Sequence, residues 1–390
     1  MEPLYHILKD AERQADITTL TAVDNKFTED YLRERGVDCV RFVPERSLEG
    51  MLHWWMNRSG FRNRAYSMQA RCTDPERSMV QWVIDRYLSW SALSEIYSRI
   101  IWLCNLFSEF QPDVAVIYPS ESYLGKVATR IAGTRKIPSI MFYQSVIKPH
   151  PMYGSDLTDY IACYGKQCKD ALEAVGIPSE KLVLVGNPKY DQIVKRNVEE
   201  DRRIVGLPDD VNILLVAAHL LVAGTRESIA ALARQLRMQQ DQFKLVIRPH
   251  PDDDPMEYER ILQKEGYSGA LIRKDVPLYS LLNLASVVFT DSSTADSEAV
   301  LFGKPLICIN LTSHPYAVRY DLEGVASLVE KEEDIIPAIE SALRTDLKHD
   351  KRSKFIERFA YRIDGRSSER FVHLIRSAGS RNPQQAPHLR

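Results

Sequence analysis

Three short stretches of this sequence carry side chains able to hold a phosphate. The first is Thr290-Asp291-Ser292-Ser293-Thr294, which follows the apolar run Ser286-Val287-Val288-Phe289 and precedes a helical pattern containing Glu298. Hydroxyls at a helix start cap its free N–H groups, and the same N–H groups with the helix dipole bind anions. Glu298, about one turn inside that helix, is placed to accept hydrogen bonds from ribose hydroxyls. The second stretch is Arg248-Pro249-His250-Pro251, after the apolar run Phe243 to Ile247. Proline on both sides of His250 restricts the backbone, so the imidazole projects from a stiff turn, and Arg248 and His250 are donors for a diphosphate. The third is His219, which ends the run Val211 to Ala218 and falls on the same rim. Each stretch has a plain structural reading too: helix capping, a polar turn, or an acidic residue in a first turn.

These residues need rigid elements that bring them together. Apolar runs of strand length alternate with helical patterns through most of the chain, which implies parallel, doubly wound sheets. The expected fold is α/β with two doubly wound Rossmann-like domains and a cleft between them. In such sheets ligands sit beyond the carboxyl ends of the strands, where all three stretches fall. The expected boundaries are an acceptor-side domain over 1–185, a nucleotide-donor domain over 186–350, a basic helical segment over 351–378 and a disordered tail over 379–390. At 390 residues the chain suits two domains of ordinary size.

The amino-terminal half departs from this pattern twice. It opens with a helical stretch, Met1 to Asp16, where a first strand ending in a glycine-rich turn is expected, and Asp16 to Val23 then reads as a strand. Residues 44–110 read as a mostly helical insertion carrying all five tryptophans, Trp54, Trp55, Trp82, Trp90 and Trp102, with nearby arginines. That mixture suits a membrane interface or a bulky acceptor, and equally the core of a helical insertion.

Composition narrows the class. The net charge of −2 gives no global field for nucleic acid, and 44% hydrophobic with 27% charged residues is ordinary for a folded chain. Charge is uneven: residues 344–390 hold 12 Lys or Arg against 5 Asp or Glu, which fits acidic headgroups, a polyanionic acceptor or a solvated basic helix. Six scattered cysteines and no Cys/His ligand spacing point to reduced thiols in the cytoplasm, with any membrane contact peripheral, at the inner face. No metal site is expected: there is no compact Asp-x-Asp at a strand end, and Asp252-Asp253-Asp254-Pro255 reads as a charged helix cap.

Taken together, Gly186-Asn187-Pro188, Arg248-Pro249-His250-Pro251, and Thr290 to Ser293 leading to Glu298-Ala299 and Gly303-Lys304-Pro305 resemble the nucleotide-binding half of a GT-B-fold transferase. The resemblance is to bacterial surface-polysaccharide transferases with an HP motif and a paired-serine motif, among them sialyl-, Kdo- and CDP-glycerol-using families. It covers about Asp159 to Leu343. It implies metal-independent transfer, without a cofactor, from a nucleotide-sugar or CDP-polyol donor to a glycan or lipid-linked acceptor. It implies that Asp291, Ser292, Ser293, Thr294 and Lys274 hold the nucleotide with Arg248, that His250 stabilises the leaving group, that Glu298 binds ribose, and that His219 and Asn187 line the rim. An acceptor base would come from the opposite domain, with Glu121 first, then Asp24 and His150.

The same stretches are similar to non-hydrolysing UDP-N-acetylglucosamine 2-epimerases, which share the fold. Glu298 matches their ribose-binding glutamate and His219 the start of their His-Arg-Arg-Glu-Asn motif. The rest of that motif is absent from His219 to Gly224, and Ser293 and Thr294 replace two glycines. The acids expected after the amino-domain strands are replaced by the stretches Tyr118 to Ser122 and Tyr143 to Val146. On these grounds transfer ranks above epimerisation, with a non-catalytic partner protein as a further alternative.

Overall fold

The computed structural model describes residues 2–14, 16–23, 26–42, 90–118, 122–143, 149, 157–207, 212–239, 242–290, 294–314, 318–344 and 349–380. Trp54, Trp55 and Trp82 of the expected insertion lie outside these residues, as do Asp24, Glu121, His150, Asp291, Ser292 and Ser293.

Twelve strands are described: β1 (Ala22–Val23), β2 (Val40–Arg41), β3 (Ala115–Ile117), β4 (Ser139–Phe142), β5 (Tyr160–Cys163), β6 (Leu182–Leu184), β7 (Asn212–Ala218), β8 (Phe243–Pro249), β9 (Leu271–Ile272), β10 (Val287–Thr290), β11 (Leu306–Ile309) and β12 (Ala326–Val329). They form a β1-β2 pair, a sheet ordered β3-β4-β5-β6, and a sheet ordered β12-β11-β10-β7-β8-β9. Every pairing is parallel.

The second sheet explains why its strands read as unbroken apolar runs. A parallel sheet covered by helices on both faces buries both sets of alternating side chains. Leu214 and Val216 of β7 join Ile229, Leu232 and Tyr258 on one face, whereas Ile213 and Leu215 join Leu281, Val300 and Phe355 on the other.

The strand expected over Asp16 to Val23 shrinks to β1. Its partner β2 is two residues long, and the ladder ends with it: Val40 N donates to Thr21 O, and Phe42 N to Val23 O. Asp16 lies beyond that reach and pairs with Arg376 at 2.7 Å. The described part of the insertion is the helix Trp90–Phe110, whose Leu103 and Phe107 pack with Ala115 and Ile117 of the first sheet. Trp102 sits beside its Leu103 and Phe107 and lies 5.5 Å from the Phe42 ring. No described helix is long and apolar enough to cross a membrane.

The basic carboxyl-terminal segment is two helices, not one solvated helix. His349–Ala360 buries Phe355 and Phe359 against the second sheet. Ser367–Gly379 crosses back and buries Phe371 and Leu374 against Ile140, Phe142 and Ala162 of the first. Several of its arginines serve internal contacts: Arg352 donates to the carbonyls of Val300 and Leu301, Arg370 to that of Val185, and Arg376 to Asp16.

The crossing is fixed by a carboxylate. Arg366, at the N-cap, offers no side-chain cap, and Asp191 supplies one from a distance, accepting from Ser367 N at 2.8 Å and Ser368 N at 2.7 Å. At Gly165 a Cβ would stand 2.5 Å from Arg358 O, so the start of helix Lys166–Glu173 abuts the end of helix His349–Ala360 with no space for a side chain.

Candidate functional site

In the second sheet, β7 has β8 on one side and β10 on the other. Counted along the chain, the order is third, second, first, fourth, fifth, sixth. Connections leave β7 and β10 in opposite directions there, which opens a crevice beyond their carboxyl ends where a nucleotide binds in this topology.

From one side, β7 delivers His219 and β8 delivers His250. Their rings stack with centroids 4.0 Å apart and planes 15° from parallel. His250 N donates to Ala218 O at 2.9 Å, which locks the two strand ends together. Its Nδ1 accepts from Asp252 N at 3.2 Å, so in the neutral ring the proton sits on Nε2, where it can be donated to a ligand.

Asp253 underpins the pair. It is buried, its Oδ2 accepts from Leu220 N at 2.9 Å and from Tyr258 Oη at 2.6 Å, and its Oδ1 lies 3.6 Å from His219 Nε2. The expected helix cap is Asp254, which accepts from Met256 N at 3.0 Å. The loop after β7 closes on the loop after β11: at Gly224 (φ 86°) a Cβ would stand 2.6 Å from Thr312 Oγ1 and 3.0 Å from the His314 ring.

From the other side, helix Thr294–Leu301 carries Glu298, 3% exposed. Glu298 Oε1 lies 2.5 Å from Lys189 Nζ and accepts from Tyr279 Oη at 3.2 Å. Burial, then the Glu298 charge, pushes the Tyr190 phenol up, beyond reach of ordinary pH. At the head of the helix, Thr290 donates to the buried Asp296 carboxylate, and the Ser297 and Tyr320 hydroxyls are 2.8 Å apart.

Three of the expected site residues make hydrogen bonds within the protein. Arg248 spends its guanidinium on backbone carbonyls, Nε on Val276 O at 3.0 Å and Nη1 on Pro249 O at 2.8 Å, and so staples the loop after β9 to β8. Burial lowers its affinity for the proton, and nearby Asp275 works the other way. Lys274 Nζ donates to Asp253 O at 2.7 Å, holding the turn beneath the imidazoles. Asn187 is buried and caps the short helix Pro188–Lys195 through Lys189 N, 3.1 Å away. Among the described residues no group of three or more His, Cys, Asp or Glu is placed to hold a metal ion.

Sequence reasoning missed Lys189, Tyr279, Asp253 and Asp191. Lys189 stood in plain view beside the Asn187-Pro188 pair, but nothing local tied it to Glu298. Asp253 and Asp254 are adjacent acids before a proline, and only the fold separates the scaffold from the cap.

The model of the UDP-N-acetylglucosamine 2-epimerase family matches residues 153–376. The chain belongs to that family. The match overturns the ranking drawn from the sequence: it favours the isomerase alternative over transfer. No curated protein matches the chain. Among solved structures it is similar to the UDP-GlcNAc 2-epimerase of Neisseria meningitidis bound to UDP-GlcNAc, at 14% identity over 96% of each chain with a TM-score of 0.64. The UDP-GlcNAc 2-epimerase of Methanocaldococcus jannaschii is similar at 15% identity over 96% of each chain, TM-score 0.63. A glycosyltransferase from Rickettsia africae is similar at 10% identity, over 98% of this chain and 95% of that one, TM-score 0.59. The fold is therefore α/β of the GT-B type, with parallel sheets, as in the 2-epimerase family.

Proposed function

We propose that this protein binds a UDP-linked amino sugar and inverts carbon 2 of that sugar, with the nucleotide held by the second sheet. The observation that carries the reading is the stacking of His219 on His250 at adjacent strand ends, across the switch point from the buried Glu298. In this reading the diphosphate lies over the imidazoles and the start of helix Thr294–Leu301, and Asp291, Ser292, Ser293 and Thr294 are its expected ligands. Glu298 takes the ribose hydroxyls, and the loop Lys274 to Leu278 flanks the base.

The chemistry follows from what inversion requires. Inversion breaks the C–H bond at carbon 2, whose electron pair forms a double bond to carbon 1 as the bond from carbon 1 to the diphosphate oxygen breaks. Return of a proton to the other face of carbon 2 and of the diphosphate oxygen to carbon 1 restores the UDP-sugar, which needs acid and base groups beside the sugar. His250 Nε2–H donates to the diphosphate, drawing electron density from the sugar–oxygen bond. Removing one such donor costs about 3–4 kcal/mol of barrier. For the base at carbon 2 we reassign Glu121, expected from the sequence as the acceptor base of a transferase. The cap of the following helix is Ser122, whose Oγ accepts from Gly125 N at 3.0 Å.

Group transfer is the second reading, favoured by Ser293 and Thr294 in place of two glycines and by the missing Arg-Arg-Glu-Asn after His219. It keeps the same nucleotide half and sends the sugar to a glycan or lipid-linked acceptor. Incubation with UDP-N-acetylglucosamine in deuterium oxide without acceptor separates the two. The 2-epimer with deuterium at carbon 2 is expected for the isomerase; UDP release only after a glycan acceptor is added would replace it with transfer.

A further inference from the structure

We propose that Lys189 is a positioning residue of the nucleotide site: its ammonium fixes Glu298 as an ionised acceptor and so sets the preference for a nucleotide with intact ribose hydroxyls. This rests on the nucleotide reading above and deepens it.

The Glu298 side chain is 4% exposed, and a carboxylate that deep is costly unless an opposite charge pairs with it. Lys189 supplies that charge at 2.5 Å, with its own side chain 24% exposed. Tyr279 completes a triangle: its hydroxyl donates to the same carboxylate oxygen, and its ring centroid lies 5.3 Å from Lys189 Nζ. The three groups come from three elements, helix Pro188–Lys195, helix Leu278–Leu284 and helix Thr294–Leu301, so Glu298 is held from outside its own helix. An ionised carboxylate only accepts, which suits two vicinal hydroxyls; a protonated one gives up an acceptor position.

Lys189 is also anchored firmly enough for this role. Its backbone N–H is tied to Asn187 Oδ1. Two residues later in the same turn, Asp191 grips the start of the crossing helix Ser367–Gly379. A short segment thus touches the ribose side of the site with one residue and holds the packing against the first sheet with another.

A purely structural ion pair would weaken every ligand alike, whereas a pair that positions a ribose acceptor weakens only ligands that carry the hydroxyls. The full chain is titrated calorimetrically with UDP and with 2′,3′-dideoxy-UDP, which keeps the diphosphate. Wild type is expected to bind UDP about tenfold or more tighter than the dideoxy analogue, and Lys189→Met to lose that margin while binding the analogue unchanged. Lys189→Arg restores part of the margin and serves as the folded control should the Met variant melt early. Equal losses for both ligands, or tighter UDP binding by Lys189→Met, overturn the proposal. Glu298→Gln separates the two levels of inference. If it abolishes the margin and Lys189→Met does not, only the role of Lys189 falls. If wild type shows no margin, the ribose reading falls and takes this inference with it.

Discussion

Replacing Asp191 should loosen the crossing helix from its start while leaving the second sheet intact. In the native protein the Asp191 carboxylate accepts from Ser367 N at 2.8 Å and Ser368 N at 2.7 Å, with Asp191 7% exposed. Asp191→Ala strands two amide donors at a buried helix start. Each costs about 1–3 kcal/mol, less where water can enter, so the opening of this helix end should become easier by roughly 2–4 kcal/mol. Asp191→Asn keeps the volume but leaves one acceptor oxygen and turns an amide N–H₂ toward a donor, so it should lose at least half as much. Global unfolding of a two-domain chain is a poor ruler for this, because it need not be two-state. Amide hydrogen exchange over 367–379 reads the opening directly, and about 2–4 kcal/mol corresponds to a fall in protection of roughly 30- to 1,000-fold. Protection within about threefold of wild type in both variants would refute the reasoning, since it would mean that water or another group satisfies those amides at no cost.

Other expectations follow from the same geometry. His250→Ala should slow turnover of the sugar nucleotide by about 10²-fold or more with the fold unchanged, and unaltered rates would remove His250 from the reaction. Gly224→Ala adds a Cβ 2.6 Å from Thr312 Oγ1 at a φ of 86°, and should cost about 1–3 kcal/mol of local stability, read as faster amide exchange over 219–229, while weakening UDP binding; a neutral effect on both would show that the two loops are not packed as described. Tyr320 is 5% exposed, and burial followed by the Asp296 charge pushes its phenol above the ordinary value of 10.0. The folded state therefore holds that proton after the unfolded chain has released it. The contribution is fully present below pH 10 and should fall by about 1.4 kcal/mol per pH unit above it; a Tyr320→Phe variant with the same alkaline slope as wild type would contradict this.

How much of this was legible in the sequence depended on the distance over which each residue acts. Strands β7, β8, β10 and β11 announced themselves, because a strand buried on both faces has no choice but to be apolar along its length, and that placed His219, His250 and Glu298 correctly at strand ends or just inside a helix. The contacts that give those residues their setting were not legible. Lys189 and Glu298 are far apart in the chain, as are Asp191 and Ser367, and no local pattern marks either pair. Arg248 looked like a phosphate ligand because its guanidinium is built for one, and nothing local announced that two of its N–H groups go to the carbonyls of Val276 and Pro249. The basic carboxyl-terminal segment misled for a related reason: its charge is conspicuous, whereas Phe355 and Phe371, which decide where its helices pack, are a small part of its composition.

The central claim is that the switch point of the second sheet holds a uridine diphosphate. It is tested most directly by calorimetric titration of the full chain with CMP, CDP, UDP and GDP, beside Glu298→Ala and the double variant His219→Ala/His250→Ala. UDP is expected to bind most tightly, the double variant to lose most of that affinity, and Glu298→Ala to lose about tenfold or more. Binding of no nucleotide, or equal binding by wild type and both variants, would contradict it.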